Sequence, residues 1–208
     1  MKTGLTSLLF ITAILLNSVC FAQDFNAGIL AGVNASQVSG DNYSGFNKAG
    51  ILAGIYTNLD VGEKVNFQLE INYSQKGSRK NPNTAEGDHE FFLLRLNYID
   101  VPLMVKYFHN NFSFEGGVYY GRLFHEHMED EEGVTTIPEN FNQFKRNDVG
   151  ALIGINYNFT DNINMNWRFN NSILPIRDFD SGESYLYFKR GSYHTYLSFS
   201  FRYTFFGG

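Results

Sequence analysis

The sequence is short of cysteine, proline, charge and long apolar runs. It holds one Cys and four Pro, and only 18% of its residues are charged. Its one long apolar run, residues 5–16, is too short to cross a bilayer as a helix. A mean hydropathy of -0.25 excludes a bundle of such helices. The run follows Lys2 and precedes Asn17-Ser18-Val19-Cys20-Phe21-Ala22-Gln23, the order of a secretory signal with small residues at its cleavage site. Residues 1–22 are therefore expected to be a signal peptide cleaved after Ala22, and residues 23–208 the mature domain. The competing reading lipidates Cys20, but Asn17, Ser18 and Val19 make a poor lipobox. Cleavage after Ala22 leaves no cysteine, which excludes a disulfide framework and a thiol nucleophile. The net charge of -5 becomes one unit more negative when Lys2 is lost. An acidic exported chain of this kind is not a nucleic-acid binder.

What the sequence has in excess is aromatic residues, 17%, and 20 glycines. That mixture favours strands. Apolar and polar residues alternate with period two, and no convincing helical period interrupts them. Eight runs stand out: 25–38, 46–59, 65–76, about 96–108, 112–123, 148–159, 163–174 and 193–206. Most are near the length of a tilted membrane-spanning strand. Short turns at 60–64, 109–111 and 160–162 alternate with longer connections at 39–45, 77–95, 124–147 and 175–192. Short periplasmic turns and long external loops are the outer-membrane pattern. The expected fold is all-β, an eight-stranded antiparallel up-and-down transmembrane β-barrel in the cell outer membrane, with both termini periplasmic.

The same alternation would also fit a soluble lipocalin-like ligand binder with its apolar row inside. Composition of the two rows separates them. Charges fall in one row only: Lys48, Glu70, Lys76, Asp100, Lys106, Glu115, Asp148, Arg168 and Arg202, with Arg122 the exception at the external end. Gly28, Gly32, Gly50, Gly54, Gly117, Gly121, Gly150 and Gly154 share that row. An eight-stranded barrel has a lumen just wide enough for side chains, so long charged groups there need small neighbours. The charged row is therefore expected to line a polar lumen, and aromatics at both ends of the other row, including Tyr73, Tyr120 and Tyr193, to form two girdles. Pro102, with Leu94, Leu96 and Tyr98 out of phase with Ile99, Val101 and Leu103, suggests a bulge between Leu96 and Pro102.

Two stretches resemble a known family. Leu69-Glu70-Ile71-Asn72-Tyr73-Ser74-Gln75-Lys76-Gly77 is similar to the third-strand signature of the PorT-type outer-membrane β-barrels of Bacteroidetes. Tyr98-Ile99-Asp100-Val101-Pro102-Leu103-Met104-Val105-Lys106-Tyr107 resembles their Pro-containing strand. Gly28 to Asn34, Phe114-Glu115-Gly116-Gly117 and the closing strand fit as well, so the resemblance covers essentially the whole mature chain. It implies an eight-stranded barrel and no single activity.

The chemical candidates are few. His125 and His127 alternate on one side of an extended chain and could share a cation, but they sit in a run of acids that reads equally as a solvated loop. Ser192, His194 and Asp178 or Glu183 are the only hydrolase-like grouping, and their spacing does not compel it. No cofactor motif and no catalytic site is found, and the protein is expected not to be an enzyme. The expected function is a small barrel with a plugged polar lumen and a structural or interaction role. Alternatives are a narrow solute conduit, an outer-membrane lipid-modifying enzyme and the soluble binder. Expected partners are outer-membrane lipid, the barrel assembly machinery and a protein at the external loops.

Overall fold

Strands that alternate so regularly, joined by tight turns, pair with their neighbours in chain order and close the sheet on itself. The computed structural model describes residues 25–40, 45–137, 142–178 and 191–205. The expected signal segment with Cys20, and Glu183, lie outside them. The strands are β1 (Phe25–Ser39), β2 (Lys48–Asp60), β3 (Val65–Lys80), β4 (Phe92–His109), β5 (Phe112–Asp130), β6 (Gly133–Thr135), β7 (Asn147–Asn158), β8 (Ile163–Ser172), β9 (Arg177–Asp178) and β10 (Gly191–Thr204). Eight of them form an antiparallel ring in the order β1-β2-β3-β4-β5-β7-β8-β10, and β10 pairs back onto β1 from Gly28↔Thr204 to Ser39↔Tyr193. The short β6 and β9 pair with β5 and β10 outside the ring, in stretches expected as loop.

One end of the barrel carries tight turns. Gly62 (φ 81°) and Asn110 (φ 54°) supply the left-handed conformation that two of them need. The other end carries the long connections, and there the strands outrun the sequence expectation. β3 and β4 stay paired to Lys80↔Phe92, and β4 and β5 to Phe92↔Asp130. Much of the connections expected at 77–95 and 124–147 is thus sheet, a blade standing beyond the barrel. At its tip Lys80 bridges Asp88 and Glu90, each at 2.8 Å. The Lys80 ammonium, helped by the Glu90 backbone N–H, holds the Asp88 carboxyl below its ordinary value.

The apolar row faces outward around the ring. Ile51, Ile55, Leu103, Val118, Ile153, Trp167 and Phe201 are all exposed. The soluble lipocalin-like alternative needs that row inside, so the structure runs against it. Aromatic pairs Phe112–Tyr157 and Tyr157–Phe159, each 5.1 Å between centroids, and Tyr203–Phe205 at 5.7 Å ring the turn end. Tyr73 meets Phe124 at 6.0 Å near the loop end. Tyr193, expected in that second girdle, is instead fully buried, because β9 and the chain around Ile176 close over the start of β10.

The irregularity expected between Leu96 and Pro102 is present at Asn97/Tyr98, but β4 does not carry the extra residue. Leu94, Leu96, Tyr98, Asp100, Pro102, Met104 and Lys106 all point inward in one unbroken row. The β3–β4 ladder skips the positions opposite Pro102 and resumes in the same register. The register shift lies in β5, where Phe124 is the extra residue between Leu123 and His125.

What the sequence showed as a phase slip is an inversion of polarity. Along β4 the outward row runs Tyr107, Val105, Leu103, Val101, Ile99 and then turns polar at Asn97 and Arg95, while the inward row turns apolar at Tyr98, Leu96 and Leu94. β3 changes after Tyr73, at Gln75, and β1 changes at Gln37, where Val38 turns inward. Gln75, Asn97 and His125 share one register level. Below that level the wall faces lipid and must be apolar outside. Above it the wall faces water, and the ordinary rule returns. The inward apolar residues gather Phe144 and Ile176 from the loops into a cluster with Val38, Leu94, Leu96, Tyr98 and Leu123, which caps the barrel.

Candidate functional site

Inside the ring the polar row builds two tiers of charge. Nearer the turn end, β3 and β5 present Glu70 and Glu115, and β8, β10 and β4 present Arg168, Arg202 and Lys106. Arg168 Nε lies 2.6 Å from Glu115 Oε1, and its Nη1 and Nη2 lie 3.0 and 2.9 Å from the two oxygens of Glu70. Arg202 Nη2 reaches Glu70 at 3.0 Å and its Nη1 reaches Glu115 at 3.7 Å. Lys106 Nζ stands 3.8 Å from Glu115. Amides complete the carboxylates. Gln68 and Asn72 donate to Glu70, and Asn156 and Asn166 donate to Glu115. A forked guanidinium bridging two carboxylates is the geometry that best offsets the cost of burying charge.

The second tier lies toward the loop end. Lys76 Nζ is 2.9 Å from Asp100 and 3.2 Å from Asp148, with no solvent exposure. Three rings surround the same ammonium, Tyr98 at 4.6 Å and Tyr119 and Tyr196 each at 4.7 Å. Ser172 and Tyr119 donate hydroxyl bonds to Asp148. Sequence reading placed Lys76, Asp100 and Asp148 in the lumen but missed the tyrosine cage. The signal was available: Tyr119 and Tyr196 stand in the rows that carry glycine and charge.

Within these sets the first tier holds one surplus cation and the second one surplus anion. Lys48, assigned by sequence to the same network, does not join either tier. Its ammonium donates to the Ala49 carbonyl at 2.5 Å and to Gln75 Oε1 at 3.4 Å.

Glycine makes room for the first tier. A Cβ built on Gly154 would lie 2.7 Å from both Glu115 Oε1 and the Trp167 carbonyl oxygen. Gly154→Ala is expected to cost about 1–3 kcal/mol by overpacking, read as a lowered urea midpoint in lipid vesicles; an unchanged midpoint would show that the lumen has slack. Below the first tier the lumen opens at the turn end as a polar vestibule of about 730 Å³, walled by asparagines including Asn58, Asn66 and Asn164, with Lys106 toward its floor.

The catalytic candidates do not assemble. His194 is buried inside the barrel edge-on to Tyr98, with Nε2 3.4 Å from its hydroxyl. Asp178 is held by Lys145 at 2.7 Å and stands outside. A histidine walled in this way cannot reach an acyl chain in the leaflet. His125 and His127 lie on the outer side of the blade, where His127 meets Glu129 at 3.7 Å. Among the described residues no group of three or more metal-ligating side chains forms.

A closed ring, lipid-facing outside and charge-filled inside, defines a small outer-membrane β-barrel protein. Residues 21–178 match the outer membrane protein beta-barrel domain, and the chain belongs to that family. Its place is the cell outer membrane. Among solved structures it is similar to Ail, the attachment invasion locus protein of Yersinia pestis, at 11% identity and a TM-score of 0.52, covering 88% of this chain and 99% of that one. It is also similar to Neisserial surface protein A, at 13% identity and a TM-score of 0.54, covering 86% and 97%. At these identities the likeness is one of fold. Comparison with curated proteins finds no match.

Proposed function

We propose that this protein is a closed, non-catalytic outer-membrane barrel that anchors a rigid extracellular blade for contact with a partner. The observation that carries this reading is the doubly tiered lumen: two ion-pair layers and an apolar cap stand between the vestibule and the loop end. A lumen sealed by paired charge stiffens the barrel and leaves recognition to the loops and blade. Both termini face the periplasm in this reading, because the short turns, the start of β1 and the end of β10 share one end of the ring. The barrel assembly machinery inserts it. The motifs Leu69 to Gly77 and Tyr98 to Tyr107 support placing it among the PorT-type barrels of Bacteroidetes.

The vestibule favours a second reading, a narrow conduit entered from the turn end. Recording from the purified chain in planar bilayers separates the two. No steady unitary conductance is expected; a stable open level would overturn the closed-lumen reading. Migration on a gel is expected to shift on boiling, and a protein recovered from the periplasm without detergent would end the membrane reading itself.

A further inference from the structure

Nearly all cations of the lumen have carboxylate partners, but one group of cations on the wall does not. Arg79 on β3 and Arg95 on β4 are diagonal neighbours on the outward face, since Arg79 pairs with Leu93 and Arg95 with Gly77. Residues so placed have Cβ atoms some 7–8 Å apart, within reach of long side chains. Lys48, 3% exposed in the inward row of β2, lies behind the pair. Gln75 links the group, accepting from Lys48 at 3.4 Å and donating to Asn97 Oδ1 at 3.1 Å.

Among the described residues no carboxylate lies within ion-pair distance of Lys48, Arg79 or Arg95. Arg95 Nε is buried with no hydrogen-bond partner. Arg79 Nε donates only to Asn81. Neighbouring acids are committed elsewhere, Glu129 to His127 and Asp88 and Glu90 to Lys80. Two outward arginines on neighbouring strands, one with an orphaned donor, and a buried ammonium joined to the neighbouring Gln75, in an acidic protein, call for an anion with several acceptor oxygens.

The level of the cluster says where that anion comes from. Gln75 and Asn97 mark the change from lipid-facing to water-facing wall. Arg95 is two residues beyond Asn97 and Arg79 four beyond Gln75, roughly 7 and 13 Å along a tilted strand. The headgroup layer is about 5–8 Å deep on each side of the hydrocarbon. We infer that Arg79 and Arg95, with the Lys48 ammonium buried behind them, form a binding site for a phosphate group of an anionic outer-leaflet lipid. This rests on the outer-membrane placement, which the boiling shift tests separately.

The test is native mass spectrometry of the full chain in detergent, titrated with lipid A bearing both phosphates, with dephosphorylated lipid A, and with inorganic phosphate. The diphosphorylated lipid is expected to stay bound, and the dephosphorylated one to bind roughly tenfold more weakly or less. The double variant Arg79→Gln/Arg95→Gln should lose the preference, while Lys145→Gln, which touches a different charge pair, should keep it. Each variant must still shift on boiling. Equal binding of both lipids, or an unchanged preference in the double variant, overturns the site. Inorganic phosphate that competes as well as the lipid overturns the lipid source.

Discussion

Arg168→Met is expected to destabilise the barrel by about 3–5 kcal/mol, the cost of breaking a buried charge pair from one side. The guanidinium hydrogen-bonds both first-tier carboxylates, at 2.6 Å to Glu115 and 2.9–3.0 Å to Glu70, whereas Arg202 approaches Glu115 only to 3.7 Å. Methionine fills most of its volume and returns none of its donors. Glu70 and Glu115 would then keep only Arg202, the more distant Lys106 and the amides around them. Trp167, the single tryptophan of the sequence, is the next residue on β8 and faces outward. Its fluorescence during urea titration in vesicles reads the loss directly. The double variant Arg168→Met/Glu70→Gln should lose less than the sum of the two single changes, by at least about 1 kcal/mol. A single-variant cost under about 1 kcal/mol would mean that the tier is hydrated and weak.

Lys76→Met should cost a similar amount, about 3–5 kcal/mol, for a different reason. Removing the ammonium leaves Asp100 and Asp148 facing each other inside three tyrosine rings, with no other cation in contact among the described residues. The repulsion of two buried carboxylates then adds to the lost cation–π attraction. Neutralising both acids tests this account. Lys76→Met/Asp100→Asn/Asp148→Asn should recover much of the stability by the same Trp167 titration. If the triple variant is no more stable than Lys76→Met alone, the lysine acts through packing and the ion-pair account fails. Neither variant should create a steady conductance, because the apolar cluster around Leu96 and Ile176 still caps the loop end.

Much of this architecture was legible in the alternation. Strand three reads Val65, Phe67, Leu69, Ile71, Tyr73 against Asn66, Gln68, Glu70, Asn72, Ser74, and that split is the split between lipid and lumen in the structure. The ring of eight followed from the run lengths and the alternation of short and long connections. Two readings needed revision at the loop end. Leu94, Leu96 and Tyr98 pointed to a bulge in β4 whose extra residue is Phe124 of β5, and Tyr193 read as girdle. Both lie at or beyond the level where the solvent outside the wall changes from lipid to water. A period-two pattern reports only that two faces differ, so a change of surroundings along one strand looks like a slip of phase.

By itself the sequence determined that strands would form, that they would close without an edge, and that glycine and charge would share one crowded face. These follow from local alternation and from the volume of side chains a narrow barrel can hold. Only the tertiary structure decided which charges meet. Glu70 and Arg168 are 98 residues apart, and Lys76 and Asp148 are 72. Their encounter depends on the register of every intervening strand, including the one-residue shift at Phe124. The same shear and register set the level of polarity inversion, and with it the outward group of Arg79 and Arg95, because the height of a residue on a tilted, closed sheet is a property of the whole ring and of no single strand.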